Sequence, residues 1–340
     1  MNALPREAMA PRDQLGRPLH DLRVSVIETC NFRCPYCMPA DSTPPGDTLG
    51  RAGRLDFDEI ETAVRAFARL GVSKLRLTGG EPLLRKDLPV LVARLAKVPG
   101  ITDLALTTNG ALLAGQARAL REAGLHRLTV SLDALDAALF RQLTGGRGEL
   151  ADVLYGIAAA EAAGFGSLKI NCVVQRGINE SQVLPLAGHF RHTPHVLRFI
   201  EFMDVGTCNR WQEASVVCSR ELRDQINATW PLQPLQAAYR GEVARRHAYA
   251  DGAGEVGFVS SVSAPFCGDC HRARLSADGQ LFTCLFAGQG RPLREIIAAG
   301  EDTLTAHLRD AWQARADRYS EQRTSGPGSG RRIEMYFIGG

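Results

Sequence analysis

Lysine is nearly missing from this chain: only Lys74, Lys86, Lys97 and Lys169 stand among its 40 cationic side chains. Codon usage is a sufficient account, and no chemistry need be read into the arginine share. Aromatic residues are also sparse, at 6%. No apolar run reaches the roughly 18 residues of a membrane helix, and the first 21 residues are polar with Pro5 and Pro11. A membrane span and a secretory signal are therefore not expected, and the reading is a cytoplasmic protein without a membrane partner. Surplus charge of one sign is missing too. A formal net charge of +3 over 340 residues gives no reason to expect a nucleic-acid partner.

What is present fits an ordinary globular protein. Apolar residues make up 45% and charged residues 23% of a length that suits one large barrel or two domains. Nine cysteines without a secretory signal are expected to stay reduced, which makes thiolate ligation of metal their leading use. Six fall into two triplets: Cys30, Cys34 and Cys37 read C-x3-C-x2-C, and Cys267, Cys270 and Cys284 read C-x2-C-x13-C. Cys172, Cys208 and Cys218 are scattered and read as small buried hydrophobes.

Short β-rich segments at 22–27, 74–78, 103–107, 127–132, 167–174 and 196–201 alternate with amphipathic helical stretches. Six such units predict an α/β fold whose parallel sheet curls into a full or partial barrel, helices outside. Polar and glycine-rich residues gather after the strands, among them Gly79-Gly80-Glu81-Pro82, Thr107-Thr108-Asn109-Gly110 and Ser131-Leu132-Asp133. That rim is where parallel α/β barrels build their active sites. After Val205 the rhythm breaks, which predicts a smaller C-terminal region, and 324–330 reads as a flexible linker.

Three thiolates can hold three corners of a cubane iron-sulfur cluster and leave one iron open. Structural zinc is the alternative, but it normally takes four protein ligands, and neither triplet has a fourth cysteine nearby. His20 precedes the first triplet by ten residues, and His271, next to Cys270, would point away from it on an extended chain. Arg272 and Arg274, at i and i+2 on a strand, face the same way and suit a polyphosphate.

The run Cys30-Asn31-Phe32-Arg33-Cys34-Pro35-Tyr36-Cys37 resembles the cluster motif of the radical S-adenosylmethionine (SAM) superfamily, and Gly79-Gly80-Glu81-Pro82 resembles its methionine-binding motif. Both triplets, the segment 199–206 and the ending Tyr336-Phe337-Ile338-Gly339-Gly340 resemble the GTP 3′,8-cyclases of molybdenum cofactor biosynthesis from about Leu15 onward. Ile27-Glu28 departs from the Thr-Asp common in that family, and 42–49 is rich in proline and glycine.

The resemblance implies a partial (β/α)6 radical SAM barrel over 15–205. A smaller C-terminal α+β region over 206–323 would carry the second cluster, followed by a linker and Gly-Gly tail over 324–340. Residues 1–14 would be a disordered extension. It implies two [4Fe-4S] clusters, held by Cys30, Cys34 and Cys37 and by Cys267, Cys270 and Cys284. SAM contacts would fall on Tyr36, Gly80, Glu81, Ser131 and Met203. GTP contacts would fall on Arg23, Arg76, Thr107, Lys169, Arg198, Arg272, Ala273 and Arg274, with Gly339 and Gly340 entering the site. The implied reaction is conversion of GTP to 3′,8-cyclo-7,8-dihydro-GTP by a 5′-deoxyadenosyl radical that takes hydrogen from C3′. Implied partners are an electron donor and a downstream pterin-forming enzyme, and a homodimer is allowed. The rival readings are a peptide-modifying radical SAM maturase, which usually carries more C-terminal cysteines, and a nucleic-acid-binding sensor, for which no basic helical face is found.

Overall fold

The computed structural model of the chain describes residues 10–38, 53–323 and 332–339. The expectations for 1–9, 42–49, the linker 324–330 and Gly340 lie outside the described residues.

The barrel half runs β1 (Asp21–Ser25), α1 (Phe57–Arg69), β2 (Lys74–Thr78), α2 (Leu88–Leu95), β3 (Asp103–Thr108), α3 (Ala117–Glu122), β4 (Arg127–Ser131), α4 (Ala137–Leu143), α5 (Leu150–Ala162), β5 (Lys169–Val174), α6 (Val183–Phe190) and β6 (Val196–Glu201). Strands expected at 74–78 and 196–201 occupy those residues; three others differ by one or two residues at one end, and the first, expected at 22–27, differs at both ends. Alternation explains their placement. Leu22 and Val24 are fully buried beneath the helices, so Asp21 and Arg23, which alternate with them, turn to the inside of the curved sheet. Helix α1 begins in a capping box, Asp56 accepting from the Glu59 amide and Glu59 from the Asp56 amide, both at 2.8 Å.

Beyond Val205 come α7 (Ser219–Thr229), β7 (Leu232–Pro234), β8 (Arg245–Tyr249), β9 (Glu255–Val259), β10 (Arg272–Leu275), β11 (Gln280–Phe282), β12 (Arg291–Pro292), α8 (Arg294–Ala298), α9 (Glu301–Gln313), α10 (Tyr319–Gln322) and α11 (Met335–Ile338). These strands do not make a separate layer. A single sheet of twelve strands runs β12-β11-β10-β1-β2-β3-β4-β5-β6-β9-β8-β7. Strand β10 lies parallel to β1, and β9 lies parallel to β6. An incomplete barrel leaves its first and last strands with unpaired backbone groups, and the C-terminal third satisfies both edges.

Residues 10–14 correct an expectation. They are ordered because Asp13, only 5% exposed, holds Arg17 at 2.6 Å and Arg315 at 3.2 Å, two arginines equally buried.

Candidate active site

The loop carrying the first three cysteines leaves β1 and is braced from β2. Gly80 donates to the Ile27 carbonyl and Glu81 to that of Thr29, both at 2.8 Å. This approach requires glycine: a Cβ on Gly80 would lie 2.2 Å from the Thr29 carbonyl oxygen. Glu81 is buried, accepting from Thr108 Oγ1 at 2.7 Å and the Asn109 amide at 2.8 Å, and burial pushes its carboxyl up to about 7. Glu28, at the family departure, is buried against Arg54 in a fork of 2.6 and 2.7 Å.

Burial drives the thiols of Cys34 and Cys37 well up and that of Cys30 to about 11, so these sulfurs would ionise only when bound to metal. None of the nine cysteines is in a disulfide. Among the described residues only His20, Asp21 and His271 bring three potential ligand atoms within 4.8 Å of one another. Neither triplet is gathered tightly enough for one tetrahedral zinc, whose thiolates sit about 3.8 Å apart. A cubane, with a different iron for each sulfur, spreads its ligands wider, and a donor set of three thiols suits three of its corners. Lys74 and Arg272 crowd the His20-Asp21-His271 group, so Asp21 already serves as their counter-charge. As the alternation required, His271 turns from the second triplet and meets the His20 ring at 5.2 Å.

Against the second triplet lies a cavity enclosing about 1580 Å³, its open mouth included. Ten cationic side chains line it against two carboxylates, Asp21 and Asp317. Sheet register produces this. Arg274 of β10, Arg23 of β1 and Arg76 of β2 stand side by side in one row, on strands about 4.8 Å apart. One layer nearer the strand starts, Arg272, Asp21 and Lys74 form a second row. Arg76 donates to Thr107 at 2.7 Å and Thr129 at 2.9 Å, while Nε of Arg198 and of Arg274 is buried with no partner. Burial, reinforced by neighbouring cations, lowers Arg76 and Arg274 to about 10 and Lys169 to about 7. Such crowding of like charges is costly unless a polyanion occupies the space.

Arg23, Arg76, Thr107, Lys169, Arg198, Met203, Arg272 and Arg274 all line this cavity. The side chain of Ala273 turns instead to the apolar core, as strand alternation demands, so only its main chain is available to a ligand. Tyr36, Gly80, Glu81 and Ser131 lie outside the cavity wall, toward the first cysteine loop. Tyr36 donates to Asp133 at 2.6 Å. Sequence reasoning missed Arg127, Thr129, Arg17 and Arg315. The first two sit at i and i+2 on an expected strand, which could have revealed them; the last two carry no local signal.

The C-terminal tail reaches the barrel rim. Arg332 binds the Asp204 carboxylate at 2.8 Å, and Glu334 accepts from the Thr207 amide at 2.9 Å and its hydroxyl at 2.8 Å. Met335 lines the cavity and Ile338 is fully buried. Gly339 adopts φ +70° against Thr78, the last residue of β2.

A three-cysteine loop and a glycine brace at the carboxyl rim of a half-open parallel barrel define a radical SAM enzyme. The Radical SAM superfamily model matches residues 24–189, and the Molybdenum Cofactor Synthesis C model matches residues 195–321. A GTP 3′,8-cyclase of Xanthomonas campestris pv. campestris strain B100 is 67% identical over 99% of this chain and 100% of its own. One from Staphylococcus aureus strain MRSA252 is 42% identical over 97% of this chain and 98% of its own. The chain belongs to the GTP 3′,8-cyclase family, radical SAM enzymes of molybdenum cofactor synthesis. The fold is also similar to that of Streptococcus suis SuiB bound to precursor peptide SuiA, with a TM-score of 0.61 and 14% identity over 87% of this chain and 68% of that one. Among the described residues, no helix is long and apolar enough to cross a membrane.

Proposed function

We propose that the chain converts GTP to 3′,8-cyclo-7,8-dihydro-GTP, with SAM and a cluster on Cys30, Cys34 and Cys37, and with a second [4Fe-4S] cluster on Cys267, Cys270 and Cys284. The observation that carries this reading is the row Arg274-Arg23-Arg76, which lines the same cavity as the second triplet among ten cationic side chains and two carboxylates. The cofactors would supply the electron and a 5′-deoxyadenosyl radical that takes hydrogen from C3′, after which the ribose carbon closes on C8.

The protein's own share is placement. Arg23, Arg76, Arg272 and Arg274 hold the triphosphate through charge-assisted bonds, with Lys169 and Arg198 closing the other side. Tyr36, Gly80, Glu81, Ser131 and Met203 shape the SAM end, and Gly339 at the rim, with Gly340 after it in sequence, orders the substrate side. Enclosure keeps water from the radical. An electron donor delivers from the reducing cytoplasm, where thiolate-held clusters persist, and a pterin-forming enzyme takes the product.

Anaerobically reconstituted protein tests the reading. About eight irons per chain are expected, with 5′-deoxyadenosine released when GTP is present. Cys30→Ala should abolish SAM cleavage, whereas Cys284→Ala should retain some cleavage and yield no cyclised nucleotide. Full activity with zinc at the second triplet, or equal affinity for guanosine and GTP, would refute it.

The pH dependence follows from Lys169. In the free protein its ammonium is lost at about pH 7, and a bound triphosphate favours the charged form. Below that pH Lys169 is already protonated and contributes no slope. Above it, binding takes up a proton, so GTP affinity is expected to fall by up to about tenfold per pH unit. Calorimetry in buffers of different ionisation heat reads the proton uptake directly.

A further inference from the structure

Arg315 lines the cavity, yet it is not available to substrate. Its side chain is 1% exposed and engaged on all three nitrogens. Nε donates to Asp317 at 3.3 Å, and Nη1 to Asp13 at 3.2 Å and to the Cys270 carbonyl at 2.7 Å. Nη2 reaches the Cys270 sulfur at 3.3 Å. Arg272 approaches the same sulfur at 3.4 Å. The brace continues through Arg17, which binds Asp13 at 2.6 Å and donates to the Cys267 carbonyl at 2.7 Å. Trp312 lies 4.5 Å beneath the Arg315 guanidinium and fixes its plane.

Among the described residues the first triplet has no counterpart to this: Cys30 accepts from neutral amides, the Phe32 N–H at 3.4 Å and Asn109 Nδ2 at 3.9 Å. The nearest guanidinium, that of Arg33, donates to the Cys30 carbonyl at 2.7 Å and not to a sulfur. At Cys270, by contrast, two guanidiniums stand within hydrogen-bond reach of one sulfur, Arg315 at 3.3 Å and Arg272 at 3.4 Å. Their fields act on any charge that the bound sulfurs share with a metal.

We propose that Arg315 is a potential-setting residue of the second cluster: held off the substrate by Asp13 and Asp317, it donates to the Cys270 sulfur and raises the cluster's one-electron reduction potential. The inference rests on the two-cluster reading above. A cluster that accepts one electron gains one negative charge, and a cation hydrogen-bonded to its ligand sulfur stabilises that reduced form more than the oxidised one. No bond breaks and no proton moves in this couple.

The test is an EPR-monitored redox titration of the reconstituted holoenzyme, following both clusters, for the wild type, Arg315→Lys and Arg315→Gln. At the wild-type midpoint, Arg315→Gln should lower the reduced-to-oxidised ratio of the second cluster about tenfold, a 59 mV shift for one electron. Arg315→Lys, which keeps the charge but loses the fork, should fall between. The first cluster's midpoint should stay put. An unchanged second midpoint in iron-replete variants overturns the proposal, and so does loss of the second cluster from both variants, because Arg315 would then build the site instead of tuning it. Only four irons in the wild type would defeat the two-cluster reading itself, a result distinct from either.

Discussion

Gly80→Ala is expected to empty the first cysteine loop of iron and reduce SAM cleavage to background. A Cβ there would stand 2.2 Å from the Thr29 carbonyl oxygen and 2.4 Å from its carbon. Both are main-chain atoms two positions at most from Cys30, so no side chain can rotate to relieve the clash. One loop must move away from the other. Overpacking of this kind costs about 1 to 3 kcal/mol of stability, which a protein of this size survives. The functional loss is larger, because the Gly80 and Glu81 amide bonds to the cysteine loop, each 2.8 Å long, cannot both persist. Iron analysis and thermal unfolding separate the two effects. A variant that holds eight irons and cleaves SAM at the wild-type rate would show that the loops do not depend on this approach.

The second large effect is placed at the tail. Gly339→Ala is expected to leave iron content and SAM cleavage near wild type while removing most cyclised product. At φ +70° a side chain is strained, and its Cβ would meet Thr78 Cγ2 at 2.2 Å. The obstruction is one methyl group, which makes the prediction sharp. Thr78→Ser deletes that methyl and keeps the hydroxyl, so the double variant should recover much of the lost cyclisation. It should still fall short of wild type by the left-handed strain, about 1 to 2 kcal/mol. Product chromatography beside a 5′-deoxyadenosine assay reads both quantities. If Thr78→Ser gives no rescue, the tail's seat against β2 is not what orders the substrate.

Much of this site could be read from local pattern. Each cysteine triplet is a matter of spacing, and Arg272 with Arg274 follows from strand alternation. Lys74–Thr78 and Val196–Glu201 are β-rich segments bounded by clear turns. What could not be read locally depends on residues distant in sequence. Nothing in β10 says that it will lie beside β1, and only that pairing aligns Arg274 with Arg23 and, one strand on, with Arg76. Asp13 looks like one more polar residue near a polar terminus. It is buried only because Arg17 and Arg315 converge on it, the latter from about 300 residues away. The tail posed the same difficulty: Ile338 is apolar in any context, but its burial needs the barrel already built.

The sheet order sets a timetable for synthesis. A ribosome completes β1 and β6 long before it reaches β9 and β10, so the emerging half-barrel carries two bare parallel edges. One edge closes when Val259 has left the exit tunnel, and the other only when Leu275 has. Until then the first three cysteines belong to a nascent chain whose cavity has no floor. The first triplet is complete once Cys37 has been made and the second only after Cys284, so the nascent chain presents the two sets of thiols at different stages of synthesis.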